Sequence, residues 1–297
     1  MRRLQVLLLA VLACALAIVP AAEAARLKAK AVAQDKAAVQ RYWTPERMRN
    51  ARPADRILSG TYAAAAKPVK PPKRAFAASP VTPPYTSQPT STNGKVFFTD
   101  DGLNYVCSGT ALLSGNKSTV WTAGHCVHDG ASNFHTNWAF VPAYADGSRP
   151  YGTWTARQLL TTNGWATSGD FSFDNGAAVV NLNGGQALTD VVGGRNPSFN
   201  YARNQTYVSH GYPAAPPFSG GRMFICEADL GTRDTSANPA TMGIGCDMTG
   251  GSSGGGWVVG NNVLSVNSYG YQTQPNVMYG PYQGTVAQQL YTSAGSS

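Results

Sequence analysis

The chain has 297 residues, of which only 13% are charged, together with 32 glycines and 19 prolines. This composition excludes a helical bundle or coiled coil and favours short strands joined by turns. The net charge of +8 is uneven, because residues 1–95 carry +12 and the rest of the chain carries −4. The larger part is therefore mildly acidic, and the overall basic charge does not indicate a nucleic-acid-binding protein.

The N-terminus has the pattern of an export signal. A basic start at residues 1–3 precedes an apolar run over residues 4–19, and small residues up to Ala24 suit cleavage by a signal peptidase. We expect residues 1–24 to be a signal peptide and the product to be secreted, without a stable membrane anchor. One alternative is an anchor, but the run is shorter than the ~20 apolar residues that span a bilayer. Another is a lipoprotein modified at Cys14.

Residues 25–93 are interpreted as a basic, proline-rich propeptide and linker. Thr44 and Pro45 predict the start of a short helix, with Thr44 as the N-cap and Pro45 in the first position. The prolines between Lys67 and Pro89 predict an extended linker without a core of its own. The alternative is a disordered tail that stays attached and binds the cell wall.

Four cysteines remain once the signal is removed, and an even number in an exported chain suggests disulfides. Three pairings are possible, and the simplest joins sequence neighbours as Cys107–Cys126 and Cys226–Cys246. A zinc site built from Cys107, His125, Cys126 and His128 is the competing idea. It lacks the paired ligand spacing of zinc sites, so no metal is expected.

From Gly94 onward the chain changes to short apolar stretches separated by Gly, Asn and Ser, which is typical of an all-β protein. A short helix is expected only near the C-terminus, over residues 284–291. Strands are expected at Lys95–Thr99, Thr110–Leu113, Thr119–Thr122, Ala177–Asn181, Thr206–Gly211, Gly256–Val259 and Val263–Ser268.

Three short segments carry groups suited to catalysis. An apolar strand leads into Thr-Ala-Gly-His-Cys at 122–126, which places His125 where an imidazole can transfer protons near neutral pH. Ser253 lies in a glycine-rich turn whose backbone N–H groups can converge on an oxyanion. Asp174, just before a buried strand, is the favoured acid to orient the histidine, and Asp170 is its rival.

Together these segments resemble the chymotrypsin-like serine peptidases, specifically the secreted bacterial branch that includes the glutamyl endopeptidases. The likeness covers residues 94–293 and rests on Cys-Ser-Gly-Thr at 107–110, Thr-Ala-Gly-His-Cys at 122–126, Phe-Asp-Asn-Gly-Ala at 173–177 and Gly-Ser-Ser-Gly-Gly at 251–255. The resemblance implies two antiparallel six-stranded β-barrels, at about 94–190 and 191–293, with the site in the cleft between them.

The resemblance also implies a secreted serine endopeptidase that uses His125, Asp174 and Ser253 as its triad. The backbone N–H groups of Gly251 and Ser253 would form the oxyanion hole. No cofactor is implied. The partners would be protein or peptide substrates and the chain's own propeptide, and the enzyme would be a monomer. The substrate backbone would pair with the edge at Ser268, Tyr269 and Gly270.

Three positions depart from the family pattern or leave it open. Ser252 stands where animal members carry an aspartate that captures the new N-terminus, and Asn267 stands where glutamyl-specific members carry a histidine. Asp247 lies six residues before Ser253, where trypsin binds a basic P1 side chain; alternatively, it accepts local backbone hydrogen bonds. The competing function is a catalytically silent binding module on the same fold.

Overall fold

The computed structural model describes residues 27–54 and 77–297. The predicted signal peptide and the prolines at 68, 71 and 72 lie outside the described residues. Across the two described ranges, no helix is long and apolar enough to cross a membrane.

The first described segment, residues 27–54, packs against the body of the protein. Thr44 accepts a hydrogen bond from the Arg47 N–H at 3.2 Å and Pro45 occupies the first helical turn, as the sequence predicts. Trp43 is buried there and its ring lies 5.3 Å from that of Phe97. The elements of the two leader segments are β1 (Leu27–Ala31), α1 (Lys36–Tyr42), α2 (Pro45–Asn50), β2 (Arg52–Pro53) and β3 (Ser79–Pro80).

Six antiparallel strands then form the first barrel. Their order is β8-β7-β4-β5-β6-β9, and pairing of β8 with β9 closes the cylinder. The leader adds β1 antiparallel to β8 and β2 parallel to β5. The strands are β4 (Asn93–Asp100), β5 (Leu103–Leu112), β6 (Thr119–Thr122), β7 (Thr136–Pro142), β8 (Trp154–Thr162) and β9 (Gly176–Val180).

The second part of the chain forms a second, mostly antiparallel sheet in the order β10-β15-β14-β11-β12-β13-β17-β16. Two short helices precede it: α3 (Asn163–Ser168) and α4 (Leu188–Val192). The pairings among the described residues close the first sheet but not this one. Its strands are β10 (Asn196–Pro197), β11 (Thr206–Gly211), β12 (Phe224–Asp234), β13 (Thr241–Gly245), β14 (Gly256–Val259), β15 (Asn262–Val266), β16 (Tyr269–Tyr271) and β17 (Gln274–Gly280).

One disulfide lies in each half of the molecule. Cys107 on β5 is bonded to Cys126 beyond β6, with their Cα atoms 6.1 Å apart. Cys226 on β12 is bonded to Cys246 at the end of β13, with a Cα separation of 5.6 Å. These are the neighbour pairings that the sequence favours, and each closes a loop of about 20 residues, for which the chain-entropy model gives about 3 kcal/mol.

The C-terminal helix, α5 (Thr285–Gly295), extends four residues beyond the predicted end. It follows the second sheet in sequence but packs against β8 and β9 of the first barrel. Ala287, Leu290 and Ala294 are buried there within the core of the first barrel. The helix therefore ties the end of the chain to its first half.

A buried lysine lies under the leader. Lys95 is 4% exposed; its Nζ donates to the Gly220 carbonyl at 2.8 Å and lies 5.1 Å from the Tyr144 ring centre. Burial lowers the pKa of Lys95 to about 7. The unfolded chain has the ordinary pKa near 10.5, so between pH 7 and 10.5 it binds more protons than the folded protein.

The free energy of unfolding should therefore rise as pH increases through that window, by at most about 1.4 kcal/mol per pH unit from this group. Replacing Lys95 with methionine should remove this part of the slope. Urea denaturation of the wild type and the variant at pH 7 and pH 9.5 gives the change in the free energy of unfolding with pH for each protein. The difference between the two changes isolates Lys95, because the other titrating groups contribute equally to both. Equal slopes in the two proteins would contradict the expectation.

Candidate active site

His125 is held immediately after β6. The chain leaves the strand at Ala123 and makes a short 3-10 turn, Gly124–Cys126, which the disulfide at Cys126 anchors to β5. The Nδ1 atom of His125 lies 2.8 Å from Asp174 Oδ2, and its backbone N–H donates to Asp174 Oδ1, also at 2.8 Å. The imidazole is 4% exposed. The two hydrogen bonds to this one carboxylate hold both the position and the orientation of the ring.

Asp174 is fully buried at the start of β9. Besides its two contacts with His125, its Oδ2 accepts a hydrogen bond from Ser268 Oγ at 2.5 Å. Its rival Asp170 instead caps the 3-10 turn Phe171–Phe173, where its side chain accepts from the Ser172 N–H at 2.8 Å. The structure thus brings Asp174, and not Asp170, to the histidine.

Ser253 comes from the second half of the molecule and reaches the same place. Its carbonyl accepts from the Ser108 N–H at 2.7 Å, and the Sγ atom of Cys126 lies 3.6 Å from the same oxygen. No hydrogen bond joins Ser253 Oγ to His125 Nε2, and that nitrogen is buried without a partner among the described residues. Such catalytic bonds are often long without substrate and tighten when it binds.

The turn that carries Ser253 leaves two N–H groups open. Gly251 has φ +94°, and a Cβ there would meet the Tyr212 carbonyl oxygen at 2.8 Å, so glycine is needed. Within the described residues, neither the Gly251 nor the Ser253 N–H donates to another group. Two unpaired donors beside a serine hydroxyl are what an oxyanion site requires.

Gly254 offers a test of how tightly this turn is packed. Its φ is +80°, and a Cβ would overlap Thr122 Oγ1 and lie 2.5 Å from the Ser108 carbonyl oxygen. Gly254→Ala should therefore lower the free energy of unfolding by more than about 3 kcal/mol, because backbone on both sides must move. Gly260→Ala is the control: φ is +59° but no atom lies within 4 Å, so about 1 kcal/mol is expected. Similar losses in thermal or urea unfolding would contradict this account.

The other predicted site residues divide into two groups. Ser268, Tyr269 and Gly270 line a cavity next to Ser253. Asp247 does not line it, since its Oδ1 accepts from the Ala78 N–H at 2.6 Å. Asn267 is buried beneath the site, where its amide donates to the carbonyls of His210 and Ser252.

Sequence reasoning missed two features of this site. Ser268 donates its hydroxyl to Asp174, so a residue expected only to offer its backbone also buttresses the acid. Phe171 and Tyr271 line the cavity as well. Neither follows from a local motif, because each depends on the packing of one half of the molecule against the other.

A metal centre does not fit the residues present. Among the described residues, only Cys107, His125 and Cys126 form a group of three potential ligands, with ligand atoms within 4.8 Å of one another. The two cysteines are joined in a disulfide, so neither supplies the thiolate that binds zinc. The imidazole Nδ1 is already committed to Asp174.

Comparison with known proteins yields close relatives. This chain is 48% identical in sequence to the protease Anisep from Arthrobacter nicotinovorans, whose crystal structure matches with a TM-score of 0.68. The match covers 71% of this chain and 99% of that one. It is 45% identical to the thermostable serine protease AL20 from an extremophilic microorganism, with a TM-score of 0.67, over 70% of this chain and 98% of that one.

A curated relative is the protein named extracellular metalloprotease of Bacillus subtilis, which is 34% identical over 85 residues. The match covers 29% of this chain and spans only 26% of the length of that relative. No family model matches the chain. The first-barrel topology agrees with the identity over nearly the whole of one solved protease and one solved serine protease: the chain belongs to the secreted bacterial family of chymotrypsin-like serine proteases.

Proposed function

We propose that this protein is a secreted serine endopeptidase that cleaves peptide bonds through an acyl-enzyme on Ser253. The observation that carries the proposal is the buried bond between Asp174 Oδ2 and His125 Nδ1, which leaves Nε2 as the nitrogen able to take a proton. The carboxylate fixes the tautomer with hydrogen on Nδ1, so that Nε2 has a lone pair.

In the first half-reaction, Ser253 Oγ attacks the carbonyl carbon of the scissile bond while its proton passes to His125 Nε2. The carbonyl oxygen becomes an oxyanion that accepts hydrogen bonds from the N–H groups of Gly251 and Ser253. The C–N bond then breaks, and His125 returns the proton to the leaving amine. Water repeats the sequence on the ester, releasing the acid and restoring the Ser253 hydroxyl.

The substrate backbone is proposed to lie along β16. This strand pairs with β17 and stands at the end of the order of the second sheet. An extended peptide can add to such an edge through main-chain hydrogen bonds. Gly270 is an exposed residue of this edge and lines the adjacent cavity, which places the edge beside Ser253.

A fluorophosphonate probe tests the proposed nucleophile directly. Attack by an activated serine forms an O–P bond and expels fluoride, and mass spectrometry of the digested protein should find the label on Ser253. The same preparation should hydrolyse casein, and labelling should stop it. A folded protein that neither reacts nor hydrolyses would favour the silent binding module, which no observation in the structure supports at present.

Of the leader, which the sequence predicts at residues 25–93, the part before residue 78 is proposed to be a propeptide that assists folding. The described part buries Val39, Trp43 and Met48 against apolar side chains of the first barrel, and none of residues 27–54 lines the cavity beside Ser253. Residues 27–54 would therefore support the barrel and not shield the cleft.

The proposal makes Trp43 a test residue. Its Nε1 donates to the Asn137 carbonyl at 2.5 Å and its ring is buried. Trp43→Ala should lower the yield of secreted active enzyme at least about 10-fold, since such truncations cost about 3–5 kcal/mol. The kcat/KM of the enzyme that does mature should not change. The exposed Arg41→Ala is the control, and an equal yield from both variants would count against a folding role.

The N-terminus of the mature domain is proposed to lie at or before Ala78, although the sequence places the domain boundary at 93/94. Ser79 and Pro80 pair with β12 as β3, and Tyr85 is buried beneath them. Removing these residues would expose core, whereas cleavage just before them would not. The sequence predicts cleavage between Lys73 and Gly94, and residues 73–76 of that window lie outside the described residues. N-terminal sequencing of the secreted enzyme decides the point.

A further inference from the structure

The residues that line the cavity beside Ser253 bear on which peptide bond the enzyme cleaves. Its volume is about 660 Å³ and it is bounded by three stretches of the second half of the chain together with Phe171. None of its lining residues is an Asp, Glu, Lys, Arg or His. Most of its large side chains are apolar or aromatic, namely Phe171, Met248, Tyr269, Tyr271, Val277 and Met278, and the two uncharged polar ones are Gln272 and Gln274.

Asp247, the one acid that the sequence places near this cavity, is turned away from it. Its carboxylate receives the backbone N–H of Ala78 at 2.6 Å, on the segment that leads into β3. It therefore holds the start of β3 to the loop before Ser253. Asp247 does accept a backbone N–H, as the alternative for this residue has it, but the partner lies 169 residues earlier in the chain and is not local. A basic side chain entering the cavity would not meet it.

A second acid, Asp234, lies behind the cavity wall and is fully engaged. Its Oδ2 accepts from the hydroxyl of Tyr269 at 2.8 Å and from that of Tyr271, while its Oδ1 accepts from the N–H and hydroxyl of Ser236. Burial opposes its charge, but these hydrogen bonds outweigh it and lower the pKa of Asp234. The carboxylate orients two tyrosines that form the wall and is screened by them from the cavity.

An acidic P1 side chain would not meet a cationic side chain in the cavity lining either. Asn267 is buried, and both ends of its amide are used: its oxygen accepts from Ser209 Oγ and Trp257 Nε1, and its nitrogen donates to two carbonyls. With no cationic side chain in the lining, an acidic P1 residue would lose its hydration without compensation.

We infer that this enzyme selects an uncharged, apolar P1 side chain and accepts large and aromatic ones. The inference rests on the proposed function, since it assigns a substrate class to the same site. Phenylalanine, tyrosine, leucine and methionine can replace water against the apolar wall, whereas arginine, lysine and glutamate would each bring an unpaired charge into it.

The test uses the secreted enzyme and a set of peptides that differ only at P1, with Phe, Tyr, Leu, Arg, Lys or Glu. We expect kcat/KM for Phe, Tyr and Leu to exceed that for Arg, Lys and Glu by more than about 100-fold. Faster cleavage after Arg, Lys or Glu would overturn the inference and leave the proposed function intact. Hydrolysis of no peptide, in a set extended to all P1 residues, would overturn both.

A variant with a carboxylate in the lining provides a second, independent reading. Gln274 lines the cavity, and its Oε1 accepts from Tyr279 OH at 2.7 Å, a bond that a glutamate oxygen can keep. Gln274→Glu should raise the ratio of kcat/KM for Arg over Phe at least about 10-fold, because a basic P1 group then gains a partner. Gln288→Glu makes the same change on the exposed face of α5 and should leave the ratio unchanged. A Gln274→Glu enzyme with a wild-type melting temperature and an unchanged ratio would show that P1 does not bind here.

Discussion

Replacing Ser253 with alanine is expected to lower kcat for peptide hydrolysis by about 10⁵-fold or more, with little change in stability. The hydroxyl is the only group of the proposed triad that forms a covalent bond to the substrate. Losses of this size are typical when the nucleophile of such a unit is removed. What rate remains would come from the N–H groups of Gly251 and Ser253.

Stopped assays over hours, on enzyme freed of traces of the wild type, are needed to measure so slow a rate. Ser132→Ala is the matched control, because Ser132 is exposed in a loop of the first barrel and is not among the residues that line the cavity. Thermal unfolding of both variants should resemble that of the wild type. A Ser253→Ala enzyme that keeps a tenth of the activity would remove this serine from the mechanism.

Asp174→Asn should lower kcat about 10⁴-fold at neutral pH. The amide nitrogen can donate to His125 Nδ1, which would favour the tautomer with hydrogen on Nε2, and this tautomer cannot accept the serine proton. The change also weakens the two further hydrogen bonds that the carboxylate accepts, from the His125 N–H and Ser268 Oγ. KM should change far less than kcat, because Asp174 is not among the residues that line the cavity.

Asp170→Asn is the matched control for that experiment. Asp170 is four residues away and caps a 3-10 turn with its side chain, a role that asparagine also fills. A fall of less than about 10-fold is expected. If Asp170→Asn had the larger effect, the acid partner of the histidine would have been assigned to the wrong residue.

The sequence predicts the site better than it predicts the sheets. The runs around His125 and Ser253 are local motifs whose small residues are needed where they stand, as the contacts of Gly254 show. In contrast, β12 (Phe224–Asp234) was not predicted, because its residues alternate between buried and exposed without a strong apolar run. The strands at Thr136–Pro142 and Trp154–Thr162 were also missed, since their burial depends on the leader and on barrel closure.

Non-local packing explains the remaining differences. A carboxylate at Asp247 suggested a basic P1 side chain, but its partner is Ala78, 169 residues earlier in the chain, and no local pattern reveals that bond. Likewise, the helix over Thr285–Gly295 was expected from its own sequence, while its place against the first barrel was not. The spacing of residues within a segment predicts the chemistry of that segment, but it does not predict which distant segment packs over it.

The position of the C-terminal helix also sets the order in which the molecule can complete its fold. Ala287, Leu290 and Ala294 complete the core of a barrel whose strands all lie before residue 181. Without α5, the first half of the molecule therefore has an uncovered apolar face. The packing around His125 and Asp174 cannot be completed until residues 285–295 are in place. A chain that lacks these residues would thus be unstable in the half that carries the proposed base.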